Sequence, residues 1–496
     1  MRLTPSHRLY ILGAILLVTL IICARDFRGE GEAFPIVPLL VAGVAYLLAI
    51  REFFYTPNFP KHVIVIGLVL AVAWHVAFLA IPTGSDDDVR RYVWDGRLQR
   101  LGYNPYLVAP NDPAFAALHS PETRPLNNPD LPSIYPPGAQ LFFRMITAIQ
   151  ESTFAMRAAF AICNVGVVLV LLDVLRRTGQ GAHWILAYAW HPLLATEVAG
   201  SGHIDILGVL LLVVSFAALL RRWRAVAAIA FALAVAVKFL PIVLLPLYLR
   251  RVRLRDALLA VIVFALLYLP FLNHGRIPTG SLGAYIQGFG FNAPVFAALR
   301  QVAAPQVVAG LAVLAGLLIA IWFSARNYLV ARTLKGHGFT GCGKTRLTPD
   351  SYQGTTSVVP QSPLSSSSRA GFSLRGNPVF HKGHINEMSS ISESPSLDAF
   401  AWPMAASLLC APVVFPWYLL WLLPFLRSVS TLPLIIWTVS IIPTYIVWHL
   451  RTLGRPFVLP AWVMLLEYGA VAITAAIILL RRIASRRPHP GTRRIS

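Results

Sequence analysis

The sequence has few charged residues and few cysteines for its length. Only 13% of its 496 residues are charged, whereas 56% are hydrophobic, and this balance excludes an ordinary soluble multidomain protein. Its four cysteines are isolated from one another in the sequence, so they predict neither a disulfide framework nor a zinc site. The chain also lacks an internal repeat and a soluble nucleotide-binding domain. Most of the sequence consists instead of long apolar runs.

These apolar runs predict an all-α, polytopic integral membrane protein. A helix of roughly 20 apolar residues crosses about 30 Å of hydrocarbon, and the sequence predicts about 11 to 13 such segments. Two of the runs, 224–249 and 398–427, contain prolines and predict broken helices. The candidate segments lie near residues 8–24, 34–50, 62–82, 154–175, 182–198, 203–220, 224–249, 255–272, 305–325, 398–427, 431–449 and 459–480.

Acidic residues are half as numerous as basic ones, which gives a net charge of +21. The basic residues cluster beside the ends of apolar runs, at 176–177, 221–224, 250–255 and in the tail 481–496. This distribution follows the positive-inside rule and argues against nucleic acid as a partner. It predicts cytoplasmic termini and a large extracytoplasmic loop, 83–153, after the third span.

One segment departs from the membrane pattern. Residues 333–397 are rich in Ser, Gly, Pro and Lys, and they predict a disordered cytoplasmic insertion between two parts of a membrane core, 1–332 and 398–480. The segment contains a formal phosphate-loop match from Gly338 to Thr345. That motif requires a strand before it and a helix after it, and neither is predicted here, so we assign it no chemistry.

The loop 83–153 concentrates acidic and aromatic residues. It opens with three consecutive aspartates, Asp86, Asp87 and Asp88, and Tyr135 precedes a Pro-Pro pair near its end. Further candidate substrate contacts in this loop are Arg90, Arg91, Tyr92 and Asp95. Charges at a membrane boundary cost desolvation energy unless they meet water, a cation or a substrate, so this cluster predicts a functional site.

The predicted topology brings His203, Asp205 and Lys238 to the same side as this loop. Acid, base and cation above an apolar groove suit a reaction between a lipid-linked phosphate and a hydroxyl. A carboxylate can take the proton of the attacking hydroxyl while a cation neutralises the departing phosphate. Since nucleotide sugars are expected in the cytoplasm, a transferase of this topology would use a lipid-linked donor.

The order of the motifs resembles that of the C-type glycosyltransferases, which use polyprenyl-phosphate sugars. It is most similar to bacterial mannosyltransferases and, more distantly, to the first mannosyltransferase of GPI-anchor assembly. The resemblance covers nearly the whole chain except 333–397. The motifs that carry it are Tyr92-x-Trp94-Asp95-Gly96, Gly102-Tyr-Asn104-Pro105-Tyr106, Tyr135-Pro-Pro, Trp190-His191-Pro192, Glu197, Gly202-His203-x-Asp205, Lys238-Phe-x-Pro241 and Pro416-Trp417-Tyr418-x-x-Trp421.

This resemblance implies transfer of a hexose, above all mannose, from a polyprenyl-phosphate carrier to a glycan or glycolipid acceptor. It implies a multi-pass protein of the bacterial inner membrane, with its active site outside the cytoplasm. An aspartate of the first loop would be the base of an inverting reaction, and it maps to Asp86 or Asp88, with Asp87 between them. No fixed cofactor is implied, although three aspartates could hold a divalent cation. The chain departs from its relatives at Phe415, where many carry histidine.

Each candidate residue also has a structural interpretation. Asp86 to Asp88 can cap a helix beginning near Val89, and Asp95 can pair with Arg91 at i,i+4 spacing. Tyr135-Pro-Pro can simply direct the chain into the next segment, His203 and Asp205 can cap a helix, and Lys238 can extend to the membrane interface. The aromatic residues of 417–421 are typical of an interfacial belt.

Two other functional classes stay open at this point. A transporter or flippase for a lipid-linked substrate would also have broken helices and intramembrane charges, but transporters typically have short loops and internal repeats. The second alternative is a non-catalytic accessory subunit. Only an enzyme would lose activity, with its fold intact, when one carboxylate becomes an amide.

Overall fold

Helices form nearly all of the regular structure of the protein. The computed structural model describes residues 3–26, 35–84, 88–336 and 396–485, without the side chains of 327–336. In these ranges the only β-type pairings are two isolated bridges, Asn273 with Arg276 and Phe291 with Val413. The all-α, polytopic prediction is confirmed. Asp86, Asp87, most of the predicted insertion and the end of the basic tail lie outside the described residues.

The described helices are numbered here along the chain, with α4 and α5 inside the loop 83–153. In chain order they are α1 (Pro5–Asp26), α2 (Ile36–Tyr55), α3 (Lys61–Leu79), α4 (Asp88–Arg100), α5 (Pro137–Ile149), α6 (Thr153–Arg177), α7 (Trp184–Ala189), α8 (Pro192–Leu194), α9 (Asp205–Leu220), α10 (Arg224–Val237), α11 (Leu245–Tyr248), α12 (Leu254–Tyr268), α13 (Leu282–Gly288), α14 (Pro294–Leu299), α15 (Pro305–Gly336), α16 (Asp398–Leu409), α17 (Leu432–Ser440), α18 (Ile446–Thr452) and α19 (Ala461–Ser485). A π-helical turn, Ala195–Gly200, joins α8 to the segment before α9.

Eight of the described helical segments are long and apolar enough to cross a membrane, or nine if one bent pair counts as a span. This is fewer than the roughly 11 to 13 that the apolar runs predicted. Prolines explain the difference, because each removes an amide donor and interrupts a helix. The run 224–249 is divided at Pro241 and Pro246, and the run 398–427 ends α16 at Leu409 and continues as 3₁₀ turns.

The bent pair, Pro192–Gly200 followed by Asp205–Leu220, changes direction by 120°. Gly202 sits in the bend with φ of +77°, a conformation that favours glycine. The buried Arg157 of α6 fixes this bend, since its guanidinium donates to the carbonyl of Gly200 at 3.2 Å and to that of Ile81 at 2.7 Å. One arginine thus holds the end of the π-helical turn against the segment that follows α3.

The loop 83–153 has a core of its own. The side chains of Trp94, Leu98, Val108 and Leu126 form a buried cluster, and the Trp94 ring stacks on His119 with centroids 4.0 Å apart. Helices α4 and α5 of this loop pack against each other and against α6. The loop is therefore a folded layer on one end of the membrane bundle, and it holds Asp88 and Asp95 in defined positions.

Candidate active site

Asp88 begins α4 and presents a partly exposed carboxylate. Its Oδ1 accepts a hydrogen bond from Asn127 Nδ2 at 2.6 Å, and its Oδ2 accepts one from the Tyr135 hydroxyl at 3.0 Å. The side chain keeps 19% of its surface exposed. Two neutral donors therefore orient the carboxylate without neutralising it. This is a suitable arrangement for a general base that takes a proton from a bound hydroxyl.

Aromatic packing holds Tyr135, one of the two donors to Asp88, in place. The ring of Tyr92 stacks on Phe143 and meets the ring of Tyr135 edge to face, with centroids 4.4 Å and 5.0 Å apart respectively. Burial, and then the charge of Asp88, raise the pKa of Tyr135 well above its usual 10.0. Tyr135 therefore stays protonated and continues to donate to Asp88. Tyr92 is itself only 1% exposed and lies beneath this contact.

A second titratable pair lies behind Asp88. The buried His203 has its Nε2 4.0 Å from Asp88 Oδ2, and its Nδ1 is 3.0 Å from Glu197 Oε2. The other oxygen of Glu197 accepts a hydrogen bond from the hydroxyl of Tyr445. A line of carboxylate, imidazole and carboxylate thus runs from the loop 83–153 into the membrane bundle.

Lys238 supplies a cation at the end of α10. Its Nζ donates to Asp205 Oδ1 at 2.7 Å and lies 3.6 Å from the centroid of the Tyr418 ring. Asp205, at the start of α9, is held in turn by Trp421 Nε1 at 2.6 Å. Lys238 retains 25% side-chain exposure, and its partner Asp205 lies two positions after His203, the imidazole beside Asp88. The carboxylate of the loop and the ammonium of the broken membrane segment therefore belong to one site.

Residues 28–252 match the family model of the alpha-(1->6)-mannopyranosyltransferase N-terminal domain, MptA_B. This part of the chain is similar to the MptA_B family. The match confirms the predicted resemblance to C-type mannosyltransferases and contains Asp88, Glu197, His203, Asp205 and Lys238. The protein is thus a membrane-embedded glycosyltransferase of the mannosyltransferase class. No curated protein and no solved structure matches the chain.

In this mannosyltransferase, Arg90 holds the start of the loop together. Its guanidinium donates to the carbonyl oxygens of Gly84 at 2.5 Å, Glu122 at 2.7 Å and Thr83 at 3.1 Å. Thr83 and Gly84 are separated from the three aspartates by Ser85 alone. Arg90 therefore fixes one end of the aspartate segment, and its predicted contact with substrate stays a prediction.

Arg91 and Asp95 form a buried pair one turn further along α4. Arg91 Nε lies 3.3 Å from Asp95 Oδ1, and Asp95 Oδ2 also accepts from Ser133 at 2.5 Å and Gln140 at 2.8 Å. Asp95 is 1% exposed; burial raises its pKa, and the Arg91 charge and the two hydrogen bonds partly oppose that rise. The i,i+4 pairing expected as the structural alternative is observed. A substrate contact by Arg91 or Asp95 remains untested.

A continuous aromatic stack ends on His203. The rings of Phe291, Phe415, Trp417 and His203 follow one another with centroid separations of 4.5, 4.3 and 3.9 Å. Trp417 is 5% exposed and Trp421 is fully buried, so the interfacial-belt interpretation is wrong for both. Phe415 stacks on Trp417, and Trp417 in turn stacks on the imidazole.

The described residues contain no cluster of three or more His, Cys, Asp or Glu side chains that could hold a metal ion. Both oxygens of Asp88 accept hydrogen bonds from neutral donors. The predicted three-aspartate cation site includes Asp86 and Asp87, which lie outside the described part of the chain. Asp88 by itself therefore fits a base better than it fits a metal ligand.

Sequence reasoning did not select Glu197 as a site residue. A signal was present, because Glu197 is an acidic residue inside a long apolar run, where an ionisable group normally has a function. Its partner His203 was selected, but the contact between the two depends on the π-helical turn and the bend at Gly202. Periodicity alone does not predict that turn.

Proposed function

We propose that the protein transfers mannose from a polyprenyl-phosphate carrier to a hydroxyl of a glycan or glycolipid acceptor outside the cytoplasm. One observation carries this proposal. Asp88, a partly exposed carboxylate held by neutral donors, lies beside His203, and Asp205, two positions later in the chain, holds Lys238, a partly exposed ammonium at a break in the membrane bundle. The first can take a proton and the second can bind a phosphate.

The reaction would proceed as an inverting displacement. The acceptor hydroxyl oxygen attacks the anomeric carbon while Asp88 takes the hydroxyl proton, and the bond from that carbon to the phosphate oxygen breaks. The leaving polyprenyl phosphate takes the electron pair, and the Lys238 ammonium neutralises the added charge. Asp205 holds Lys238 in place through a single contact at 2.7 Å, which leaves the other ammonium protons for the phosphate.

Among the three aspartates we assign the base to Asp88. Tyr135 and Asn127 orient it, and His203 lies 4.0 Å from its Oδ2 on the side of the bundle. That distance is too long for a hydrogen bond, but contacts of this kind often tighten when substrate binds. After proton transfer, a hydrogen bond between the protonated Asp88 and His203 would hold the proton away from the departing phosphate.

The orientation follows from the charges at the other end of α6. This helix begins beside the loop 83–153 and ends with Arg176 and Arg177. Arg221, at the end of α9, pairs with Asp173 near the same end of α6, at 2.8 Å. By the positive-inside rule these basic residues face the cytoplasm. Asp88 and Lys238 would then face the opposite side, in keeping with a lipid-linked donor.

Donor identity tests this proposal directly. The purified protein in lipid nanodiscs is given either polyprenyl-phosphate-[¹⁴C]mannose or GDP-[¹⁴C]mannose, with membrane lipids and glycans as acceptors. We expect label transfer from the polyprenyl donor and none from the nucleotide sugar. Transfer from GDP-mannose alone would refute the assignment of a lipid-linked donor. Transport of either compound without a new glycosidic bond would favour the flippase alternative.

A further inference from the structure

Arg427 lies in a narrow pocket at the opposite end of the bundle from the proposed active site. The pocket is lined by Leu171, Leu175, Trp184, Ile185, Ala187, Tyr188, Leu423, Pro424 and Arg427. Arg157, which supports the active-site bend, and Leu175 are both on α6 and 18 positions apart. At 1.5 Å per residue this separation is about 27 Å, so the pocket is distinct from the site of Asp88 and Lys238.

The guanidinium of Arg427 has no counterion among the described residues. Its Nε and Nη2 atoms are buried and make no hydrogen bond there. The carboxylates that lie next to the pocket residues in the sequence or at the segment after Arg427 are already engaged. Asp173 pairs with Arg177 and Arg221, at 2.9 and 2.8 Å.

Asp398 and Tyr188 are engaged as well. Asp398 accepts hydrogen bonds from the hydroxyls of Ser428, at 2.7 Å, and Ser430. The hydroxyl of Tyr188, on the pocket wall, donates to Asn164 Oδ1 at 2.7 Å. Two guanidinium nitrogens of the half-buried Arg427 are therefore shielded from water without the carboxylate that normally accompanies a buried arginine.

We propose that Arg427 binds the head-group phosphate of an anionic phospholipid. A buried charge needs a partner, and guanidinium matches the paired oxygens of a phosphodiester. The rest of the pocket lining is largely apolar and aromatic and offers the guanidinium no acidic partner. Because the pocket is narrow, a phosphate oxygen reaches the guanidinium while the remainder of the head group stays at the pocket mouth. This lipid is separate from the proposed mannose donor.

Lipid-dependent thermal stability tests this proposal. The delipidated protein is titrated in detergent with phosphatidylglycerol, with phosphatidylcholine or with inorganic phosphate, and its Tm is followed by intrinsic fluorescence. The variant is Arg427→Met, which keeps an unbranched apolar stem and removes the charge. The matched control is Arg482→Met, at an exposed arginine near the end of α19.

We expect phosphatidylglycerol to raise the Tm of the wild type and of the control variant Arg482→Met in a saturable manner. In Arg427→Met the apparent Kd for phosphatidylglycerol should rise about tenfold or more, since a charge-assisted hydrogen bond is lost. Equal responses of wild type and Arg427→Met would overturn the proposal. A response to inorganic phosphate as large as that to the lipid would retain an anion site and overturn its assignment to a lipid.

A second measurement does not depend on the lipid titration. If Arg427 binds no anion, its buried charge is uncompensated, and Arg427→Met should raise the Tm of the protein in every lipid. Native mass spectrometry of the wild type would then show no retained phospholipid that the variant lacks. One retained anionic lipid in the wild type, absent from Arg427→Met and present in Arg482→Met, is the expected result.

Discussion

Replacing Asp88 and Asp95, separately, by asparagine compares two carboxylates of the same helix that the structure places in different environments. In Asp88→Asn the amide oxygen can still accept from Asn127, and its NH₂ can donate to the Tyr135 oxygen, so both hydrogen bonds persist with one polarity reversed. The cost in stability should therefore be small. What the variant loses is the proton acceptor.

A general base contributes a factor of about 10²–10⁴ in rate, equivalent to about 3–5 kcal/mol of transition-state stabilisation. We expect Asp88→Asn to lower kcat for mannosyl transfer by that factor. Asp95→Asn should lower stability rather than kcat. It removes the charge partner of the buried Arg91 and weakens the bonds from Ser133 and Gln140, and it should lower the free energy of unfolding by about 1.5–3 kcal/mol.

The assay measures initial rates of label transfer and thermal unfolding for wild type, both variants, Asp86→Asn and Asp87→Asn, with rates normalised to folded protein. If Asp88→Asn retains wild-type kcat while Asp86→Asn or Asp87→Asn loses it, the base is one of those two residues. If all three keep their activity, an aspartate base in this loop is refuted. A loss of kcat in folded Asp95→Asn equal to that in Asp88→Asn would refute the structural role given to Asp95.

Three further variants, the first with a control, test the rest of the site. Gly202→Ala should destabilise the protein by about 1–2 kcal/mol and lower kcat, because the new Cβ would lie 2.6 Å from Arg157 Cγ at positive φ. The control Gly102→Ala has a φ of +85° and no atom within 4 Å of the new Cβ, so in unfolding and transfer assays it should show the same backbone strain and an unchanged kcat. Glu197→Gln should lower kcat about tenfold by weakening the contact with His203, and an unchanged kcat would exclude a role for that pair. Lys238→Met should raise KM for the polyprenyl donor about tenfold or more without changing KM for the acceptor, and equal effects on both would argue against a phosphate contact.

The sequence could predict the fold class because membrane insertion is a local property of composition. Every run of apolar residues long enough to cross the hydrocarbon appears in the sequence itself, and the all-α, polytopic architecture follows from it. The number of spans does not follow in the same way. Prolines and the π-helical turn divided several runs into short helices, and whether a proline kinks or ends a helix depends on what packs around it.

The sequence predicted most residues of the candidate site, with the exception of Glu197, but it did not predict the contacts between them. Asp88, Tyr135, His203, Asp205 and Lys238 were all selected from motifs, but motifs do not show which side chains share hydrogen bonds. The structure engages Arg90 and Asp95 inside the loop and leaves Asp88 and Lys238 partly exposed.

The sequence by itself determined that this chain enters a membrane and carries an acidic loop, because both depend on residues that are neighbours along the chain. Only the tertiary structure decided which charges are available to a substrate. Arg427 shows the same division, since its isolation from any described carboxylate depends on how Asp173 and Asp398 are paired elsewhere. Burial and pairing of a charge are set by residues distant in sequence, and these come together only when the helices pack.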